Sequence, residues 1–509
     1  MFDPKDPSRI INFRPLFIAA VGLMCGISGF YTLRSIDSNS VLGIILLCAA
    51  VLAAAVLLIA ALRKKKLTAC ILLAALLIGA ARMSLAKPDS CREGDYTVTG
   101  TVFDISDSDP TVVTLVKVRL NGQKVNYKLK LSTENGYAKV GQRIEAFCSV
   151  KIPNRRFGTY DERLAMLANG VSLQGKCSGF TVLSENELPF RTFFYGLRQT
   201  LHARIYELFV ENAPIAAGFL LGERSGMDEA DYDSFSETGT AHLLTLSGFH
   251  VAVLAGLLFF LLPKRYPWLR FIIVGLFLIV YCAVTAFSPS LVRASLMCMC
   301  VMTADLTERR ADPLSSLSLA AIIILIVSPY KLYSLGFRLS FAATFGILMF
   351  TRNPLRISAG RIPRYLLGIL TVTAAATVAT SMFVANAFGE LPTYGILSNL
   401  TAVPLFSAAV TVSFAALIIG LPVPVLGRGA AWAANRLIDA AMTVLGLIRR
   451  LPNSTVSVMR PSALTGVILL ALMFAASPYV LRPAKKKVSI VLALLFLFTA
   501  SLFADIIRS

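Results

Sequence analysis

The stretch HLLTLSGFHVAVLAG, His242 to Gly256, holds two of the chain's three histidines, with Thr245 and Ser247, in a run apolar enough to begin a membrane span. On one continuous helix His242 and His250 share a face, and Ser247 lies one turn before His250. Gly248, Ala252 and Gly256 fall at i, i+4 and i+8, a small-residue face for close helix packing. In the blandest reading these polar groups bond backbone carbonyls inside a packed helix. A sharper one puts His242, Ser247 and His250 along a wet face, because ionisable groups inside spans usually line a water-filled path. Serine–histidine hydrolysis fits poorly: position 245 is Thr, so the Gly-x-Ser-Gly pattern is missing. A dyad on adjacent turns also aims the hydroxyl badly at the imidazole.

Two arginines favour the wet path. SPSLVRASLM places Arg293 just inside a span after Pro289, and GFRLSFAATFGIL places Arg338 well inside another. A cation at that depth costs about 2.5–3.5 kcal/mol on insertion scales, so it needs water or a partner. Asp305 and Glu390 are the internal acids on offer, and snorkelling is the alternative for Arg293. Asn386 and Asn399 add amide donors. A polar, cationic interior built from several helices suits an anionic substrate better than a metal ion. Three histidines without HxH or HExxH spacing give no histidine-rich zinc site. No GxxxxGK[ST] is present, so no ATPase loop belongs to these residues. Neither catalytic residues, a cofactor nor a metal is expected.

The elements that must position these groups follow from composition. Of the 509 residues 56% are hydrophobic and mean hydropathy is +0.69, beyond a soluble domain of this size. Runs of about twenty apolar residues, each able to cross a core roughly 30 Å thick, predict about 11–13 spans. Three lie within 1–86: 15–31, 41–62 and 67–86. The RKKK loop at 63–66 is read as cytoplasmic. The first run is taken as an uncleaved span, the N-terminus as inside and residues 87–240 as outside. Alternation then puts PKRYP, TERRAD, TRNPLRISAGRIPR and RPAKKK inside, as the positive-inside rule asks. Within 241–509, residues 394–451 stand apart. Pro404 interrupts them and their second half is amphipathic, so a re-entrant or interfacial helix is an alternative to two spans.

Residues 87–189 read as β structure. TVTGTVFDIS and TVVTLVKVRLNGQKVNYKLKLS alternate apolar and polar residues, and Asn121-Gly122 marks a hairpin. Several short strands with one helix before the last predict an external OB-like barrel, with an antiparallel meander as the alternative. Residues 190–240 are expected to be amphipathic connecting helices, the first along the membrane surface. Lys117 to Arg156 holds ten cations and two acids, net +8. A basic barrel with aromatics suits single-stranded nucleic acid, and Lys124, Lys128, Lys130, Arg143, Arg155 and Arg156 are the expected contacts. A solvated surface beside anionic lipid is the alternative. Cys148 and Cys177, in two predicted strands, are the expected disulfide if the exterior is oxidising.

The order of these parts resembles the ComEC-type DNA-internalisation proteins of natural competence. FLLGERSGMDEADYDSFSETGTAHLLTLSGFHVAVLAG (219–256) is similar to that family's LLGDRSGL…FRxTGLxHLLAVSGLHV. SPSLVRASLM resembles its Pro-x-x-Arg-Ala element with one extra residue. LGFRLSFAATFGIL, LPTYGILSNLTAVPL and IPNRRFGTYDERLAMLANGV resemble three further segments in the same order. The resemblance implies a polytopic α-helical membrane protein with an inserted external OB-like barrel. It implies a cytoplasmic-membrane channel passing one DNA strand inward, with His242, Ser247, His250, Arg293, Arg338 and Asn399 along the translocation path. The implied partners are single-stranded DNA, membrane lipid, a separate DNA receptor and a cytoplasmic motor, with self-association into a homo-oligomer left open. Longer members carry a metallo-β-lactamase-like domain with an HxHxDH pattern. These 509 residues have no such pattern, so a separate nuclease is expected. A carrier for a small anionic or lipid-linked solute is the rival reading.

Overall fold

A computed structural model describes residues 14–35, 67–86, 92–106, 111–133, 138–153, 156–157, 160–223, 226–350, 361–420, 423–480 and 484–508. The span expected at 41–62 and the RKKK loop lie outside these residues.

Residues 94–177 close into a barrel because their alternation puts every second side chain in one core. Strand Lys128–Thr133 buries Leu129, Leu131 and Thr133, while Lys128, Lys130 and Ser132 face outward. Gly94–Ser106 pairs antiparallel with Thr111–Leu120, which pairs with Lys128–Thr133. Lys128–Thr133 then runs parallel to Val171–Cys177, which returns through Arg143–Lys151 to the first strand. Asn121 and Gly122 both take positive φ (46° and 84°) in a two-residue turn, as an Asn-Gly hairpin requires. The expected helix before the last strand is Glu162–Ala168, its amide ends capped by the Asp161 carboxylate on Leu164 N.

The rest is a polytopic helical membrane protein. Among the described residues seven helices are long and apolar enough to span: 15–32, 267–284, 289–306, 367–388, 395–420, 424–449 and 486–506. Five shorter apolar helices lie at 70–85, 248–261, 313–327, 335–350 and 464–476. Residues 394–451 form two long helices, Gly395–Gly420 and Pro424–Arg449, and the first runs unbroken through Pro404.

Two apolar cores divide this region. One packs the buried helix Ala213–Leu221 among 248–261, 267–284, 289–306, 395–420 and 424–449. The other joins the 15–35 and 67–85 pair to 313–327 and 335–350. Leu167 and Ala168 of the barrel's helix are buried in that second core, and Tyr127 donates to the Ala86 carbonyl at 2.8 Å. The barrel is thus anchored by its own helix. Helix Pro189–Phe209 is a second tie. Its Arg191 pairs with Asp104 of the barrel at 3.1 Å, while Ile205, Leu208 and Phe209 are buried in the first core.

Candidate functional site

Helix Gly248–Leu261 begins six residues later than expected, because Ser247 is its N-cap and not a helical residue. The Ser247 hydroxyl accepts from Phe249 N at 3.3 Å, and Ser247 N donates to His250 Nδ1 at 3.1 Å. This is a capping box in which histidine takes the place of the usual glutamate. The Ser247 hydroxyl does reach the imidazole, at 3.2 Å, contrary to the helical expectation. An Nδ1 that accepts the Ser247 amide holds no proton, so the neutral ring carries it on Nε2. His250 is 1% exposed, and its Nε2 has no hydrogen-bond partner among the described residues. Tyr281 donates to the Leu220 carbonyl at 2.8 Å. Tyr281 thus satisfies one of the carbonyls left over at the end of the buried helix Ala213–Leu221.

His242 sits outside the helix, in the short turn Ala241–Leu243, so the two histidines share no helix face. Its Nδ1 is 3.2 Å from the Gly239 carbonyl, and Thr245 donates to the His242 carbonyl at 2.8 Å. The ring is exposed. Gly239, at φ 74°, lies against Pro392 and Gly395, where a Cβ would strike Pro392. Asn399 is half-buried one turn beyond Gly395.

Arg293 is the most demanding residue of the core. It is 8% exposed, in the second turn of helix Pro289–Leu306. Nε donates to Ser340 Oγ at 2.7 Å and Nη1 to Thr344 Oγ1 at 2.5 Å, with Met297 Sδ at 3.7 Å. Among the described residues no carboxylate pairs with it: Asp305 and Glu390, the acids on offer, are both exposed. Nη2 faces Gly248, 3.6 Å from where a Cβ there would lie. The chain enters this helix through Ala286 and Phe287, both at positive φ (57° and 55°), strain that no sequence signal announced.

The predicted path splits here. Arg338 is the fourth residue of helix Leu335–Phe350, not deep within a span; its Nε donates to the Leu332 carbonyl at 3.0 Å beside the Tyr333 ring. At 3.6 residues per turn, Ser340 and Thr344 lie about 160° and 120° around the helix from Arg338. Arg293 and Arg338 therefore serve opposite sides of one helix. The small-residue face also divides. Gly248 faces Arg293 and Ala294, but Ala252 and Gly256 are exposed, and nothing lies within 4 Å of a Gly256 Cβ. Close packing occurs elsewhere: a Cβ on Gly22, Gly26 or Gly79 would meet the Leu72, Leu76 or Leu23 carbonyl across the 15–35 and 67–85 pair. Asn386 donates to the Pro461 carbonyl at 2.6 Å.

The barrel cations differ in availability. Lys124 is exposed on the hairpin, and Lys130 is half-buried on the outer face. Arg143 pairs with Glu187 at 3.3 Å. Lys128 Nζ lies 3.8 Å from the Phe103 ring centroid, and Arg191 Cζ lies 4.6 Å from the same centroid. Arg155 and the Arg156 side chain lie outside the described residues. Cys148 and Cys177 lie on neighbouring antiparallel strands, both buried and both free thiols, with Cys148 Sγ 3.5 Å from the Ala146 carbonyl.

The segments that carry chemistry thus converge. Gly248 abuts Arg293, Arg293 binds Ser340 and Thr344, Gly239 abuts Pro392, and Phe235 stacks near Phe406 with centroids 5.1 Å apart. Comparison with known proteins matches the same region. The chain is 29% identical over 141 residues, 27% of its length, to ComE operon protein 3 of Bacillus subtilis (strain 168). It is 25% identical over 206 residues, 38% of its length, to Recombination protein 2 of Haemophilus influenzae (strain ATCC 51907 / DSM 11121 / KW20 / Rd). These matches span 18% and 25% of the two relatives' own lengths. No solved structure matches significantly. The family model described as competence protein covers residues 219–483, just over half of the chain and all of the converging core. The chain belongs to the competence protein family.

Proposed function

We propose that this protein conducts a single DNA strand inward across the cytoplasmic membrane during natural competence. Arg293 carries the reading. It is a buried cation with no carboxylate among the described residues, enclosed by hydroxyls where the family's segments meet. A desolvated arginine without an acid is costly unless an anion visits it, and the phosphodiester backbone supplies one at every nucleotide. His242, Ser247, His250 and Asn399 would line the same route. Arg338 would act on the barrel side of helix 335–350.

In this reading the N-terminus is inside, residues 87–240 are outside and the basic barrel receives the strand through Lys124, Lys128 and Lys130. Cys148 and Cys177 would close a disulfide where the exterior is oxidising. A separate receptor, motor and nuclease would complete the pathway. The tight hydroxyl cage around Arg293 also suits a small-anion carrier, which the same experiment separates.

A photoreactive amino acid in place of exposed Thr245, beside His242, is expected to crosslink a labelled strand trapped during uptake. The same group in place of Ile272, 60% exposed on the apolar helix 267–284, should not. Equal labelling at both positions, or none at 245 with normal uptake, sinks the route.

A further inference from the structure

The seam between barrel and membrane core gathers cations with neutral partners. Docking of helix Glu162–Ala168 beside the turn Pro329–Tyr333 brings Lys331 Nζ to Asn169 Oδ1 at 3.2 Å. Lys128, from the neighbouring strand, has its ammonium group on the Phe103 ring. Arg338 rests on the Leu332 carbonyl and the Tyr333 ring. Asp104, the acid that acts on Lys128, is already paired with Arg191.

Each cation has a neutral partner for its geometry, and among the described residues none forms an ion pair with a carboxylate. Burial pulls Lys331 below the usual lysine range, and Lys128 pulls it further. Burial and Arg191 lower Lys128 as well, with Asp104 opposing them. Bringing like charges into a half-buried seam costs energy that the fold itself does not recover. An anion seated there would recover it. Two domains contribute the seam, so it exists only while the barrel is docked.

We propose that Lys128 and Lys331, with Arg338 behind them, form a phosphodiester-binding seam where a nucleic-acid strand passes from the barrel to the membrane core. The proposal rests on the strand-channel reading and adds to it a second binding place, on the opposite side of helix 335–350 from Arg293. A lipid headgroup offers the same phosphate chemistry, but Lys128 sits on the barrel's outer face beside Lys130, where a strand bound to Lys124 and Lys130 would continue toward Lys331.

The test uses the full chain in nanodiscs of zwitterionic lipid, titrated with a fluorescent oligothymidine across a salt series. For single strands the slope of log K against log salt is about −0.7 per phosphate contact, so K128Q and K331Q should each flatten it by about 0.7 and the double variant by about 1.4. Thermal unfolding of the variants should match or exceed the unsubstituted protein, because a repelling charge has been removed. An unchanged slope in folded variants overturns the seam and leaves the channel reading standing. No oligonucleotide binding by the unsubstituted protein overturns both. Substitution effects that appear only with anionic lipid, as lost lipid-dependent stabilisation, assign the seam to headgroups and overturn the strand assignment.

Discussion

Replacing Arg293 with glutamine is expected to lower strand internalisation about tenfold or more, while the protein stays in the membrane at normal abundance. Tenfold corresponds to about 1.4 kcal/mol at the step where a phosphate passes the guanidinium. Glutamine places an amide donor near the position of Nε, where it can still serve Ser340, and removes the charge while giving up the bond to Thr344. Because an uncompensated buried cation costs stability, R293Q should unfold at the same or a higher temperature. Arg293→Lys should be intermediate, since an ammonium supplies a point charge without the planar fork that holds two hydroxyls. Internalisation of labelled DNA beside a quantitative immunoblot reads both effects. A variant that transports normally removes Arg293 from the route. One that merely disappears from the membrane gives it a structural role.

The second large effect is on stability. Gly26→Ala should destabilise the helix pair 15–35 and 67–85 by about 1–3 kcal/mol, the usual cost of overpacking. The added methyl would land on the Leu76 carbonyl, which cannot move without separating the helices. Gly256→Ala should be neutral or slightly stabilising, because its Cβ meets nothing within 4 Å and alanine is the better helix former. Thermal unfolding in detergent compares the two. Equal losses would mean that Gly256 packs against something, such as a second copy, and that the small-residue face of 248–256 is an interface after all.

These contrasts show where the sequence was legible. The barrel could be read because period-two alternation and an Asn-Gly turn are local signals, and local signals survive folding. Most spans could be read because hydrocarbon thickness acts on composition alone. What failed was helical phase. Treating 242–256 as one helix put His242, Ser247 and His250 on one face, but a serine before a glycine is an N-cap signal, and the true helix starts at Gly248. The glycines that pack closely lie in another helix pair, because spacing reveals that a small face exists and not whether a neighbour uses it. Arg293 and Arg338 looked like members of one path because both are cations in spans. Only the bonds from Arg293 to Ser340 and Thr344 show that helix 335–350 stands between them.

That separation gives the protein two cationic stations, one at the barrel seam and one in the matched core. The barrel is held to the core by Leu167, Ala168 and Tyr127 and by the Arg191–Asp104 pair, so the first station stays fixed relative to the second. A strand held at both would keep its backbone in contact with cationic groups from the barrel seam into the helical core, where water screens the charge least.

The most direct measurement is uptake in a transformable host whose chromosomal copy of this gene is deleted, scoring labelled strand protected from external nuclease. The strand should bind outside the cell and fail to enter, and the intact gene supplied in trans should restore entry. Normal internalisation in the deletion strain would contradict the channel.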